Sequence, residues 1–380
     1  MSIYLDYNAS TPVDERVIKE MINVYQNYYG NADSRTHNFG TNAKALVEKS
    51  RSQIASLLQI DKSEIVFTSG ATESDNLAIL GLASYGHESN KKHIITTAIE
   101  HKAVLEPAKH LANCGFDVEF IKPGVSGRID ETELLSRVRP DTLLVSVMHA
   151  NNETGIIQPI MKIGEALNKT ETFFHIDAAQ SFGKLVSELR RVKYDLLSIT
   201  AHKIYGPQGV GALVLKRRNY KRPPVKPLMY GGSHECGLRP GTLPVALITG
   251  FGFAAEIADR ENVKNLEIYK SIKKDIINQL DTAGIDYDIN GDQQYCMPNT
   301  LNISFSGIDS EALMLSIKDN CGVSNGSACT SNDYSPSHVL IAMNLTEERI
   351  ESTIRISWGT NIQDIAKFSL IINSVKGLRE

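Results

Sequence analysis

The sequence predicts an α/β fold built on a mainly parallel sheet, and three observations carry that expectation. Short apolar, β-branched runs alternate with helical stretches from about residue 60 to residue 215, as strands do when helical crossovers cover both faces of their sheet. Polar or glycine-containing clusters follow most of these runs, at the carboxyl ends where such sheets bind ligands. With 380 residues, 42% hydrophobic and 22% charged, the chain is long enough for one large domain and a smaller one.

The runs are EIVFTS, HIITT, DVEFI, TLLVSVM, FFHID, LLSIT and GALVL, which gives a sheet of seven strands. Ser69-Gly70-Ala71-Thr72 stands after the first run, Glu100-His101 after the second and His149-Ala150-Asn151-Asn152 after the fourth. Asp177-Ala178-Ala179-Gln180 follows the fifth and Thr200-Ala201-His202-Lys203 the sixth, so polar groups converge on one rim. Beyond Leu243-Pro244 a helix-rich segment runs to about Leu280, then come the strand candidate NTLNISF and a helix from Ser310. These form a smaller α+β domain, which the N-terminal segment joins. The expected division is 12–248 for the large domain, and 1–11 with 249–380 for the small one, which carries a loop at about 320–336.

Composition excludes several classes. The net charge is -4 with scattered basic residues, so no electrostatic footprint marks direct nucleic-acid or anionic-membrane binding. The start, MSIYLDYNASTPVDERV, reads as neither signal nor transit peptide, and no apolar stretch approaches the roughly 20 residues that span a bilayer. A cytosolic location is expected. The five cysteines, Cys114, Cys236, Cys296, Cys321 and Cys329, are widely spaced with no C-x-x-C pair. They read as free thiols in a reducing compartment rather than as a metal or redox site.

Three segments carry chemistry. Gly70-Ala71-Thr72 joins a strand to the amphipathic stretch ATESDNLAILGLAS. Its N–H groups would point from a helix N-terminus at an anion, and a phosphate fits, although many such turns only make a connection. Asp177, directly after FFHI, is either a strand-end cap or the carboxylate that keeps the pyridine nitrogen of pyridoxal phosphate (PLP) protonated. Lys203, in SITAHKIYGPQGVGALVL, stands between a buried strand and a glycine-rich turn, where a lysine is poorly solvated and can serve as an amine nucleophile.

Jointly these residues resemble the fold-type I, class V aminotransferase family, and within it the group I, NifS/IscS-like cysteine desulfurases. The resemblance runs in order through LDYNASTPVDERV, FTSGATESDN, EHKAVLEP, NNETGIIQPI, HIDAAQ, AHKIYGPQGVGAL, HECGLRPGTLPV and SNGSACTS. It implies a PLP-dependent enzyme that takes sulfur from L-cysteine, leaves alanine, and passes the sulfur to acceptor proteins for iron–sulfur assembly, tRNA thiolation or DNA sulfur modification. Lys203 would bind PLP covalently and move the Cα proton, with His101 stacked on the ring. Asp177 would pair with the ring nitrogen and Gln180 with the phenolic oxygen. Ala71, Thr72, Thr200 and His202 would hold the phosphate, joined by Thr242 of the partner subunit in a homodimer. Asn152 and Arg355 would hold the substrate carboxylate.

GVSNGSACTSNDYSPSHVL separates desulfurases from other class V enzymes. Rich in Gly, Ser, Asn and Asp, it is expected to form a mobile loop presenting Cys329 as the thiolate that receives sulfur; Cys321, beside an apolar stretch, fits a buried structural thiol. Departures from the family pattern are Asn325, Cys236 and Thr360, which leave every proposed catalytic group in place. The chain also ends without the longer tail with which some members dock an iron–sulfur scaffold, so a different acceptor is expected. Selenocysteine lyase activity and amino-group transfer are the competing enzymatic readings, and simple transamination needs no thiol. A scaffold role is opposed by the joint presence of Lys203, Asp177, His101 and Cys329.

Overall fold

All seven runs form strands of one sheet in the computed structural model, which describes residues 2–325, 336–360 and 368–379. After the short β1 (Ile3–Tyr4) come β2 (Ile65–Thr68), β3 (His93–Thr97), β4 (Asp117–Ile121), β5 (Thr142–Met148), β6 (Phe173–Asp177), β7 (Leu196–Thr200) and β8 (Gly211–Leu215). The order is β2-β8-β7-β6-β5-β3-β4, with β8 antiparallel to both neighbours and the remaining pairs parallel. Strands β3, β5, β7 and β8 are buried along their whole length, and β6 from Phe174 onward, because helices cover both faces.

One face packs under α1 (Glu15–Asn27) and α2 (Asn38–Leu58); the other packs under α3 (Ala71–Leu80) and α4 (Lys102–Asn113). Caps fix where several helices begin. Asp14 accepts from the Arg16 N–H at the start of α1, and His101 Nδ1 accepts from the Ala103 N–H, 3.1 Å away, at the start of α4. Succession along the sheet reverses between β3 and β5, the kind of crevice in which open α/β sheets bind ligands.

A second core gathers Ile3 and Leu5 with residues beyond 268. It lies against β9 (Asp288–Ile289), β10 (Thr300–Ser304) and β12 (Thr353–Ser357), an antiparallel sheet in the order β12-β10-β9, while β11 (Cys321–Gly322) pairs in parallel with β1. The 38-residue helix α5 (Val245–Thr282) links the two cores. Its Ile248, Phe251 and Ala255 pack in the large core, whereas Tyr269, Ile272, Ile276 and Leu280 pack in the small one. The expected division at residue 248 therefore falls inside α5, and contacts change hands farther along, between Ala258 and Leu266. No helix among the described residues is long and apolar enough to cross a membrane.

Candidate active site

Parallel strands end on the same edge of a sheet, so residues that follow different strands meet there. Ala71 and Thr72 (after β2), His101 (after β3), Asn152 (after β5), Asp177 and Gln180 (β6), and Thr200, His202 and Lys203 (β7) all line one cavity of about 470 Å³. Arg355 on β12 closes it from the smaller unit. Thr242 is exposed and lies outside the cavity of its own chain. Cys329 lies outside the described residues.

Two groups hold the lysine. Lys203 Nζ donates to the carbonyls of Asn8 and Ala9, the latter at 2.6 Å. Thr11 fastens this N-terminal strap by donating to His202 O at 2.9 Å from its hydroxyl, which in turn accepts from the Tyr205 N–H at 2.8 Å. Asp177 is buried; its Oδ1 accepts from the Ala179 N–H at 2.8 Å, and burial pushes its carboxyl above the ordinary range. Burial lowers the pKa of His101, and it pushes His202 down to about 4, with help from the Lys203 charge. Both imidazoles are therefore neutral at neutral pH.

The cavity fits PLP by the chemistry of its walls. At the phosphate end Gly70 precedes α3, and a Cβ there would project into open space whose nearest atom is Thr200 Oγ1 at 4.0 Å. Glu73 in the first turn of α3 accepts from the Ser69 N–H at 2.7 Å and from Arg239 Nε at 3.0 Å, which pins the turn. At the ring end Asp177 presents a carboxylate. Gln180 donates from Nε2 to Asn8 O at 2.9 Å while its buried Oε1 has no partner among the described residues. Donation to a phenolic oxygen requires this amide to turn its Nε2 toward the cavity, and amide orientation follows the network that surrounds it.

Arg355 is nearly inaccessible, with a side chain 3% exposed. Its Nη2 donates to Asp6 Oδ1 at 2.5 Å and its Nη1 to Asn152 O at 3.0 Å, leaving Nε without a partner among the described residues. Asp6 was not anticipated from the sequence; it stands in the LDYN segment, distant in sequence from Arg355, and only the fold joins them. Asn8, which accepts from both Lys203 and Gln180, was likewise missed. Asp75, also missed, lines the cavity on the buried side of α3 with Ser74 and Ala78; an acid on an otherwise apolar helix face is the signal that could have found it.

The described residues on either side of the Cys329 segment attach beside this cavity. Ser324 exchanges backbone hydrogen bonds with Arg355 at 3.2 and 2.5 Å. Ser337 Oγ donates to the buried Glu153 at 2.5 Å, and His338 Nε2 lies 3.0 Å from the carbonyl of Glu100, the residue before His101. Cys321 is buried in the small core, whereas Cys114 and Cys236 are exposed.

Comparisons with known proteins agree on one family. Residues 3–365 match the family model for "Aminotransferase class-V". The "Cysteine desulfurase IscS" of Enterobacter sp. (strain 638) is 44% identical over 385 residues, covering 100% of this chain and 94% of that protein. The crystal structure of DndA from Streptomyces lividans superposes with a TM-score of 0.82 at 45% identity, covering 92% of this chain and 98% of that one. A structure titled "NIFS-LIKE PROTEIN" superposes with a TM-score of 0.90 at 36% identity over 100% of both chains.

Proposed function

This chain belongs to the class V aminotransferase family, and from that premise we propose that it is a PLP-dependent cysteine desulfurase. It converts L-cysteine to L-alanine and leaves the sulfur as a persulfide on Cys329, for transfer to an acceptor protein. One observation carries the reading: Lys203, Asp177 and His101 line a single cavity closed by a buried arginine, Arg355, in a chain whose relatives bear that activity in their names.

PLP, when bound, supplies an electron sink for bond changes at Cα and Cβ of the amino acid. Lys203 would hold it covalently, and its amine, Nζ, would move the proton at Cα of the substrate. Asp177 would pair with the ring nitrogen and favour its positive charge, and His101 would lie against the ring. Ala71, Thr72, Thr200 and His202 would hold the phosphate, with Thr242 of the partner subunit completing that set in a homodimer. Asn152 and Arg355 orient the substrate carboxylate. An arginine suits this task because its fork fixes direction as well as charge. Asp6 and Asn152 O already occupy two of its nitrogens, so the guanidinium is held in place before substrate arrives.

The sulfur step balances without an outside oxidant. L-cysteine and one thiol give L-alanine and one persulfide: the carbon–sulfur bond of the substrate breaks, a sulfur–sulfur bond forms at Cys329, and the carbon released is reduced as the sulfur is oxidised. A cytoplasmic location and a sulfur-accepting protein partner complete the proposal.

The test is to load the purified chain with PLP, add L-cysteine with a thiol reductant, and assay sulfide and alanine together. Equal amounts of both are expected. Pyruvate in place of alanine, or transamination products in place of sulfide, would overturn the assignment, and a fully active monomer in sedimentation would overturn the homodimer.

A further inference from the structure

Behind Lys203, on the side away from the main cavity, lies a second and smaller one of about 90 Å³, lined by Lys203 and by a second lysine, Lys184. Lys184 is 5% exposed, and its ammonium nitrogen has no hydrogen-bond partner among the described residues. A buried amine without acceptors is costly to keep charged, so its placement calls for an explanation.

The backbone holds it there firmly. Gly183 has φ 71°, and a Cβ at that position would come within 2.8 Å of Ile204 Cγ2, so the turn packs directly on the residue after Lys203. From α5, Asn262 Nδ2 donates to both carbonyls of the turn, Gly183 O at 3.1 Å and Lys184 O at 2.9 Å. The other charged groups of the small cavity are already engaged: Arg16 pairs with Asp14 at 2.7 Å and with Glu261 at 2.6 Å. Its phenols, Tyr205 and Tyr269, lie 3.3 Å apart, oxygen to oxygen, and burial keeps both protonated. Across the cavity Lys184 faces Lys203; the other titratable group within reach of its charge is His202, which burial and the two lysines together push down to about 4.

Resting on the reading of Lys203 as the lysine that binds PLP, the geometry points to Lys184 as a positioning residue whose positive charge eases loss of a proton from Lys203. An amine must be neutral to attack an aldehyde, yet the carbonyls of Asn8 and Ala9 favour its ammonium form. A second cation close by in a dry site works against them. The coupling is reciprocal: burial and the Lys203 charge together push Lys184 down to about 7. Lys184 is therefore charged, and effective, on the acid side of neutrality, and it loses its influence as the pH rises and it deprotonates.

The experiment follows covalent capture of PLP by protein freed of cofactor, quenched with borohydride, across a range of pH. Lys184→Met, of similar length and uncharged, is expected to slow capture by about tenfold below pH 7, one unit of proton affinity at Lys203, and to match the parent on the alkaline side where Lys184 is neutral. Equal slowing at every pH would reveal a purely structural role, and no slowing at acid pH would remove Lys184 from the account; either result overturns the inference. Lys203→Ala separates it from the reading beneath it. If that variant still traps PLP on another lysine, the cofactor assignment fails; if it does not, while Lys184→Met keeps the parent profile, only the inference fails. Should Lys184→Met fold poorly, Asn262→Ala, which releases both carbonyls of the turn, is expected to shift capture in the same pH-dependent manner, and a parental profile there would count against the proposal.

Discussion

The rim of the large sheet and the core of the smaller unit both bury polar side chains, but they treat them differently. In the smaller unit Asn290 donates from Nδ2 to Asn302 Oδ1 at 2.7 Å, Ser304 Oγ at 2.9 Å and Thr353 Oγ1 at 3.2 Å, and it accepts from Arg349 Nε at 2.6 Å. This network is mostly neutral and mutually satisfied, as a stable core requires; the unpartnered atoms of the smaller unit among the described residues, Gln293 Oε1 and Asn299 Oδ1, belong to neutral amides. At the rim and just behind it, Glu100, Gln180, Lys184 and Arg355 each bury at least one polar atom that has no hydrogen-bond partner among the described residues, and three of the four side chains are charged types. Such groups lower stability and are retained where a ligand or a proton will engage them. The contrast separates what holds the fold from what awaits substrate and cofactor.

Substitutions sharpen that contrast in descending order of effect. Lys203→Ala should leave a folded protein that no longer holds PLP covalently, with sulfide production reduced by about a thousandfold or more; normal turnover there would break the comparison at once. Arg355→Lys keeps the charge and loses the fork, so the KM for L-cysteine should rise by about tenfold to a hundredfold in steady-state assays. Asn290→Ala should act oppositely, lowering stability by about 2–3 kcal/mol in denaturant titration because several partners are left unpaired, while PLP capture stays near the parental level.

The smallest effect concerns pH. Glu100 accepts from Thr97 Oγ1 at 2.6 Å and from the Met148 N–H at 2.9 Å, and burial pushes its carboxyl up to about 8. Unfolded, the same group ionises in the ordinary carboxylate range, so between that range and pH 8 the folded chain binds more protons than the unfolded one. Its contribution is complete at acid pH and is lost as the pH rises toward the folded value. Glu100→Gln should flatten that slope, melting above the parent at pH 8 and close to it at acid pH. Parallel melting curves for the two proteins at all pH values would contradict the assignment of a buried, protonated Glu100.

Much of this rim was legible in the sequence because its residues directly follow strands. Once the alternating runs predict parallel strands, His101, Asp177 and Lys203 must share an edge whatever the loop details. What the sequence did not disclose depends on contacts between distant elements. Asp6 meets Arg355 only because Ile3 and Leu5 pack in the small core beside β12, and the clasp of Asn8 on Lys203 and Gln180 arises from the same N-terminal strap. Lys184 sits within SFGKLV, an otherwise apolar stretch; its burial was a readable oddity, but its proximity to Lys203 comes from the packing of Gly183 on Ile204. The position of the division between the two units was obscured because α5 is one uninterrupted helix serving both cores.

The most direct test of the central claim is peptide mass mapping after a single addition of L-cysteine to the PLP-loaded protein. The account predicts that the peptide containing Cys329 gains one sulfur atom, that alanine appears in equal amount, and that Lys203→Ala shows neither change. Alanine formed with the added sulfur on Cys114, Cys236 or another cysteine, or an unmodified Cys329 in a protein that turns over normally, would contradict it.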